Sequence, residues 1–145
     1  MDARFKIRAA KKSDLNEIVK ILVGEFAKPP YNEKWGKKEA SNKIKEYFKF
    51  CKFFVAEINR EIAGFIIASS YYHVTKKLWI YELVVSEKFQ GRGIGKALID
   101  AAINHFKKEK ITGVRLIASK KARAFKFYKK LNFKETDFVE LEKQL

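Results

Sequence analysis

The run Gln90-Gly91-Arg92-Gly93-Ile94-Gly95-Lys96 constrains this 145-residue chain more than any other segment. It follows an apolar, strand-like stretch over 78–85 and opens a helix-like stretch with Leu98, Ala102 and Phe106 on one side. Glycine at three alternate positions permits positive φ where a turn needs it and removes the Cβ atoms that would hold a ligand away. A strand, a glycine turn and a helix start leave unpaired main-chain N–H groups at the positive end of a helix dipole. Such a place is an anion site, and a diphosphate is a natural occupant. Two common phosphate loops do not fit. The Walker pattern requires Ser or Thr after the Gly-Lys pair, but Lys96 is preceded by Gly95 and followed by Ala97. The dinucleotide pattern requires a glycine where Lys96 stands and a place near the start of a βαβ unit, whereas this run lies past the middle of the chain.

Periodicity supplies the rest of the architecture. Residues 5–9 read as a short strand. Ser13 and Asp14, with Glu17 three after Asp14, precede Leu15, Ile18, Val19, Leu22, Val23 and Phe26 at helical spacing. This first helix must end before Pro29 and Pro30, because the residue ahead of a proline is pushed out of the helical region. Residues 35–50 carry Ala40, Ile44, Tyr47 and Phe48 on one side and predict a second helix. Residues 53–58 and 62–69, rich in Phe, Val and Ile, predict a hairpin through Asn59-Arg60-Glu61. The central strand follows a turn at Thr75-Lys76-Lys77. A third helix runs to about 108, 114–118 is a buried strand, 122–130 a fourth helix, and 133–135 and 138–141 are closing strands. This order implies an α/β sheet with helices on both faces. Residues 1–145 read as one domain, with no linker, repeat or low-complexity tract.

Composition narrows the setting. With 47% hydrophobic and 14% aromatic residues the chain can bury a core, and a chain of this length hides about 70% of its unfolded surface. No stretch reaches the roughly 18 apolar residues of a membrane span, and no signal-peptide pattern opens the chain, so a cytoplasmic protein is expected. Cys51 stands alone, so no internal disulfide can form; its place at the entry to a strand suits an inert core thiol. No His, Cys or acid pair has metal-ligand spacing, and His73 and His105 read as surface residues. The net charge of +15 requires an anionic partner or a solvated basic surface. Between Lys107 and Lys134 there are eleven Lys or Arg and one acid, Glu109.

Three motifs in order carry a family resemblance. Gln90, Gly93 and Gly95 fit Gln/Arg-x-x-Gly-x-Gly/Ala. The segment Leu78-Trp-Ile-Tyr-Glu-Leu-Val-Val-Ser86 is a central strand leading into it. Ala124-Phe-Lys-Phe-Tyr128-Lys-Lys-Leu-Asn-Phe133 fits an A-x-x-F-Y-x-K-x-G-F signature. Together they resemble the GCN5-related N-acetyltransferase (GNAT) family over nearly the whole chain. The resemblance implies the GNAT fold, a mixed twisted sheet flanked by helices whose central strands splay at a β-bulge. It implies acetyl-CoA as cosubstrate, with no metal, and transfer of acetyl to a primary amine by direct attack in a ternary complex.

Residue roles follow from the same resemblance. Gln90, Gly91, Arg92, Gly93, Ile94, Gly95 and Lys96 would hold the pyrophosphate, and Leu83, Val84 and Val85 would offer main-chain hydrogen bonds to the pantetheine arm. Tyr128 would be the general acid, since a phenol with a pKa near 10 stays protonated at neutral pH and can donate to a thiolate. Glu82, flanked by apolar residues, would be the base, its pKa raised by burial; its structural alternative is an ion pair with one of many lysines. Where family members often carry an Asn that contacts the coenzyme, this chain has Lys121, a candidate phosphate contact. Where they carry Gly before the last Phe, it has Asn132, which tolerates positive φ.

The acceptor site would lie between the first two helices, with the loop Tyr71-Tyr72-His73 opposite. Tyr31, Trp35 and Tyr72 are candidates to box an organic cation, with Glu33, Glu25 or Glu39 as its counter-ion. The acceptor is open between a small or aminoglycoside-like amine and a protein amine. A homodimer accords with family habit. The alternative from another class is a non-catalytic RNA- or ribosome-associated module, supported by the basic C-terminal third and interleaved Phe125, Phe127 and Tyr128; a nucleic-acid partner is the less favoured of the two.

Overall fold

The computed structural model describes residues 4–70 and 76–145. The described residues form five strands and four helices in the order β1 (Lys6–Ala9), α1 (Leu15–Phe26), α2 (Lys37–Phe50), β2 (Lys52–Ile58), β3 (Glu61–Ser69), β4 (Lys77–Val85), α3 (Ile94–Phe106), β5 (Gly113–Arg115) and α4 (Arg123–Lys130). The strands lie in sequence order, antiparallel from β1 to β4, with β5 parallel to β4. Among the described residues no helix is long and apolar enough to cross a membrane.

The helices cover both faces, and each face has its own core. Ile18, Leu22, Ala40 and Ile44 of α1 and α2 pack against Val55, Phe65, Ile67 and Val84. On the other face Ile94, Leu98 and Ala102 of α3 and Tyr128 of α4 pack against Ala56, Ile66, Leu78 and Ile80. The side chains of β2 alternate between the two clusters, as do those of β3 from Phe65 on, beyond a bulge that passes over Ala63.

β4 breaks that alternation. Its register with β3 runs Ile67 to Glu82 and then Ala68 to Ile80, so Tyr81 is passed over in a bulge. Leu78 and Ile80 face α3 before the bulge, whereas Leu83 and Val85 pack on that side after it and Val84 joins the α1/α2 core. A one-residue insertion reverses every later side chain. Glu82 therefore faces α2, not the α3 side that Leu78 and Ile80 share. On its other edge β4 pairs with β5 only from Lys77 to Trp79. From Ile80 to Val85 that edge has no strand beside it among the described residues, which is the splay the resemblance implied.

Several elements differ from the sequence expectation. The strand expected over 114–118 is confined to Gly113–Arg115, because β4 has diverged from it beyond Trp79. The closing strands over 133–135 and 138–141 do not form. The amide of Phe133 is taken by the Tyr128 carbonyl at the end of α4, β5 is too short an edge to extend, and Phe138, Val139 and Leu141 remain at least 76% exposed. Helix α2 begins at Lys37, after an extended Gly36, so Trp35 stays in the preceding loop. The hairpin turns on Asn59 and Arg60 alone, both at positive φ, with Glu61 already paired to Ile58. Asn132 takes φ 67° as its motif position demands. The Thr75-Lys76-Lys77 turn lies partly outside the described residues.

Candidate active site

The glycine run joins β4 to α3 as a built loop. Gly91 and Gly93 have φ of 80° and 84°, a region that residues with a Cβ rarely enter, and a Cβ built on either would meet nothing within 4 Å. The space above both glycines is therefore open to a ligand. Gly93 caps α3, and the first N–H groups of that helix have no partner four residues back within it. Gly95 plays a different part. Its Cβ would lie 2.9 Å from the Phe127 ring, so this glycine lets α4 approach α3.

The side chains of the loop divide in the same way. Gln90 Nε2 donates to the Val85 carbonyl at 2.9 Å, and its Oε1 accepts a long 3.5 Å contact from Arg123. It ties the end of β4 to the loop. Arg92 lies over the Phe89 ring at 5.5 Å, and Lys96 pairs with Asp100 at 2.7 Å on the exposed face of α3. Lys121 is exposed in the turn before α4, its N–H on Ser119 Oγ. Arg92, Lys96, Lys121 and Arg123 make this end of the molecule basic.

Glu82 is drawn toward α2. Its side chain is only 12% exposed, and Lys43 Nζ donates to Oε1 at 2.9 Å. Burial raises the Glu82 carboxyl above the ordinary carboxylate value, the Lys43 hydrogen bond and charge partly oppose this, and Glu33 adds to the rise. Lys43 was not expected from the sequence. Its signal was present, since Lys43 lies one helical turn before the inward-facing Tyr47, but the bulge that aims Glu82 at it has no sequence mark.

Around this pair lies the segment between α1 and α2. Trp35 Nε1 donates to Glu33 Oε2 at 2.6 Å, and the Lys43 ammonium lies 4.7 Å from the Trp35 ring centroid and 5.8 Å from that of Tyr47. Glu25 is paired with Lys28. Tyr31 packs on Phe26 at 4.7 Å. Tyr47 and Tyr81 pack at 5.3 Å beside a cavity of about 580 Å³ that also reaches Lys43, Glu46 and Cys51. The sequence did not indicate this cavity. The Cys51 thiol is pushed up by burial, away from reactivity. Tyr72, with the loop Tyr71-Tyr72-His73, lies outside the described residues.

Tyr128 is 9% exposed in the α3/α4 core, its ring edge-on to Phe127 at 5.2 Å and Phe133 at 5.4 Å. Burial raises its phenol well above the usual value, and the charges of Tyr31 and Glu82 push it further. Glu82 belongs to one face of the sheet and Tyr128 to the other. A carboxylate with a raised pKa and a buried phenol thus belong to opposite faces of the sheet around β4.

A split parallel strand pair beside an open glycine turn at a helix start is the layout that the sequence motifs implied for an acyl-transfer class of fold. The sequence profile of the acetyltransferase (GNAT) family matches residues 16–133, and the chain belongs to that family. It is 31% identical to an uncharacterized N-acetyltransferase of Methanocaldococcus jannaschii over 93% of this chain and 63% of that protein, so it spans less than two thirds of this relative's length. It is 30% identical to an N-alpha-acetyltransferase of Sulfurisphaera tokodaii over 90% of this chain and 81% of that one. Among solved structures, the PaiA N-acetyltransferase of Thermoplasma acidophilum in complex with coenzyme A superposes with a TM-score of 0.73 at 23% identity, covering 94% of this chain and 93% of that one.

Proposed function

We propose that residues 1–145 form one acetyl-CoA-dependent N-acetyltransferase domain acting on a primary amine. The observation that carries this reading is the glycine turn, with open space over Gly91 and Gly93, set between the splayed strand β4 and the start of α3. Bound there, acetyl-CoA would supply a thioester carbonyl and a thiolate leaving group. The open space over Gly91 and Gly93, with the N–H groups that start α3, would take the pyrophosphate, and Lys121 is placed in a turn on the same basic side. Leu83, Val84 and Val85 pair with β3 on one side and have no strand on the other among the described residues, so that edge, apart from the Val85 carbonyl held by Gln90, is open to an extended arm. Gln90 supports this loop through Val85 and need not touch the ligand. Gly95 serves helix packing.

Glu82 would take the proton of the acceptor amine, and its raised pKa suits a base working nearer neutrality than an ordinary carboxylate. Tyr128 would hold its proton until a thiolate forms beside it. Trp35, Tyr31 and Glu33 would border the acceptor, a small-molecule or protein amine; the relative named an N-alpha-acetyltransferase supports the protein amine. No feature of the fold adds support to the nucleic-acid alternative.

The test is coenzyme A thiol release from acetyl-CoA across small amines, aminoglycosides, and N-terminal or lysine peptides. Release with one acceptor class, lost in Gly93→Val, is the expected result. Absence of acetyl-CoA binding by the wild-type protein would overturn the proposal.

A further inference from the structure

The amine nearest to Glu82 belongs to the protein itself. Lys43 Nζ lies 2.9 Å from Glu82 Oε1 and over the Trp35 ring. That is where an acceptor amine would have to be if Glu82 were to take its proton and Trp35 to border it. Among the described lysine–carboxylate pairs it is the most secluded, with side chains 27% and 12% exposed, whereas every other such lysine is at least 44% exposed. We infer that Lys43 is a resident acceptor, acetylated within its own molecule when no external amine displaces it from Glu82.

This inference rests on the proposed function and adds a modification site to it. A proton passes from the Lys43 ammonium to Glu82, and the freed lone pair attacks the thioester carbonyl of acetyl-CoA. The C–N bond forms, the C–S bond breaks, and the sulfur leaves as a thiolate that takes the Tyr128 proton; the second proton of the attacking nitrogen passes to the Tyr128 phenolate, and Glu82 releases the first to solvent. The products are an Nζ-acetyl amide and free coenzyme A, with no oxidant or reductant required. The amide carries no charge, so the cation over Trp35 and the ion pair to Glu82 are both lost. The carboxylate is then free to meet another amine. An external acceptor bound at Glu82 would displace Lys43 and so protect it.

The experiment is peptide mapping by mass spectrometry after timed incubation of the whole protein with acetyl-CoA, without acceptor and at two protein concentrations. Lys49, exposed on the same helix and paired with Glu46, reports uncatalysed acetylation. Lys43 is expected to be modified about 100-fold faster than Lys49, the size of a general-base effect, at a rate independent of protein concentration. In Glu82→Gln, checked for folding by its melting curve, Lys43 should fall to the rate of Lys49. In Lys43→Arg the fast modification should vanish. Turnover of an external amine with Lys43 modified no faster than Lys49 would overturn the inference and leave the enzyme standing. A Lys43 rate that scales with protein concentration would overturn the intramolecular claim. No binding of acetyl-CoA would overturn the proposed function and the inference with it.

Discussion

Gly95 of α3 and Phe127 of α4 meet so closely that a Cβ on the glycine would lie 2.9 Å from the ring. The third glycine of the loop is thereby tied to the same helix that carries Tyr128, one residue beyond Phe127. Gly95→Val should force α4 outward, costing about 1–3 kcal/mol as overpacking does. Tyr128 would move with it. Thermal unfolding should show the loss, and turnover should fall beyond what the reduced folded fraction explains.

Gly93→Val should behave differently. The backbone there has φ 84° but the space around it is open, so the cost to folding is the conformational strain of about 1–2 kcal/mol. The side chain would project into the place proposed for the pyrophosphate. Calorimetric titration should show acetyl-CoA affinity falling by far more than the shift in melting temperature suggests.

The raised pKa of Glu82 makes a signed prediction for pH dependence. A base must be deprotonated to act, so activity should rise with pH through an acidic limb placed above the ordinary carboxylate range. Lys43 lowers this pKa, so Lys43→Met should move the limb to still higher pH, with Glu33, Tyr31, Tyr47 and Tyr128 left as the facing titratable groups. Glu82→Gln should abolish the limb. The profile of kcat/KM against pH is the measurement.

Tyr128→Phe removes one hydroxyl from a packed ring and leaves its contacts with Phe127 and Phe133. Turnover should fall about 100-fold or more, as expected for a lost general acid, with acetyl-CoA affinity nearly unchanged. Single-turnover and binding experiments separate the two. Equal turnover would remove Tyr128 from the proposed mechanism.

Far from the site, Asp14 accepts two hydrogen bonds from Arg8, at 2.7 and 3.0 Å, and one from the Lys11 amide. The Arg8 hydrogen bonds hold its carboxyl below the ordinary value against the opposing effect of burial. A depressed carboxylate pKa stabilises the fold at pH above the unfolded value, about 3.9, and this contribution fades as pH falls through the lower folded value. Asp14→Asn should cost roughly 1–3 kcal/mol at neutral pH. The difference in melting temperature from wild type should shrink on acidification.

Much of this molecule is legible without coordinates. Ile18, Leu22 and Phe26 mark one helix stripe, Pro29 and Pro30 its end, and the Phe/Val/Ile-rich hairpin its sheet, because each of these is a local or short-period property. The glycine run between strand and helix and the Tyr128 motif are contiguous, so the candidate loop and acid can be named residue by residue. The alternation in 138–141 misleads, because apolar spacing states only that a strand could bury one side, and here the edge strand β5 is only three residues long.

Sequence alone determined the order of elements as far as α4, the family and the glycine loop between β4 and α3, since these depend on neighbours along the chain. Only the tertiary structure decided where Glu82 points. By simple alternation Glu82 shares a face with Leu78 and Ile80; the bulge at Tyr81 turns it to α2 and onto Lys43, 39 residues away in sequence. Likewise Gly95 belongs to the ligand loop by sequence, whereas in the fold Phe127 lies against it. A bulge and a helix contact arise from how strands and helices pack around a shared core, and no short stretch of residues contains that information.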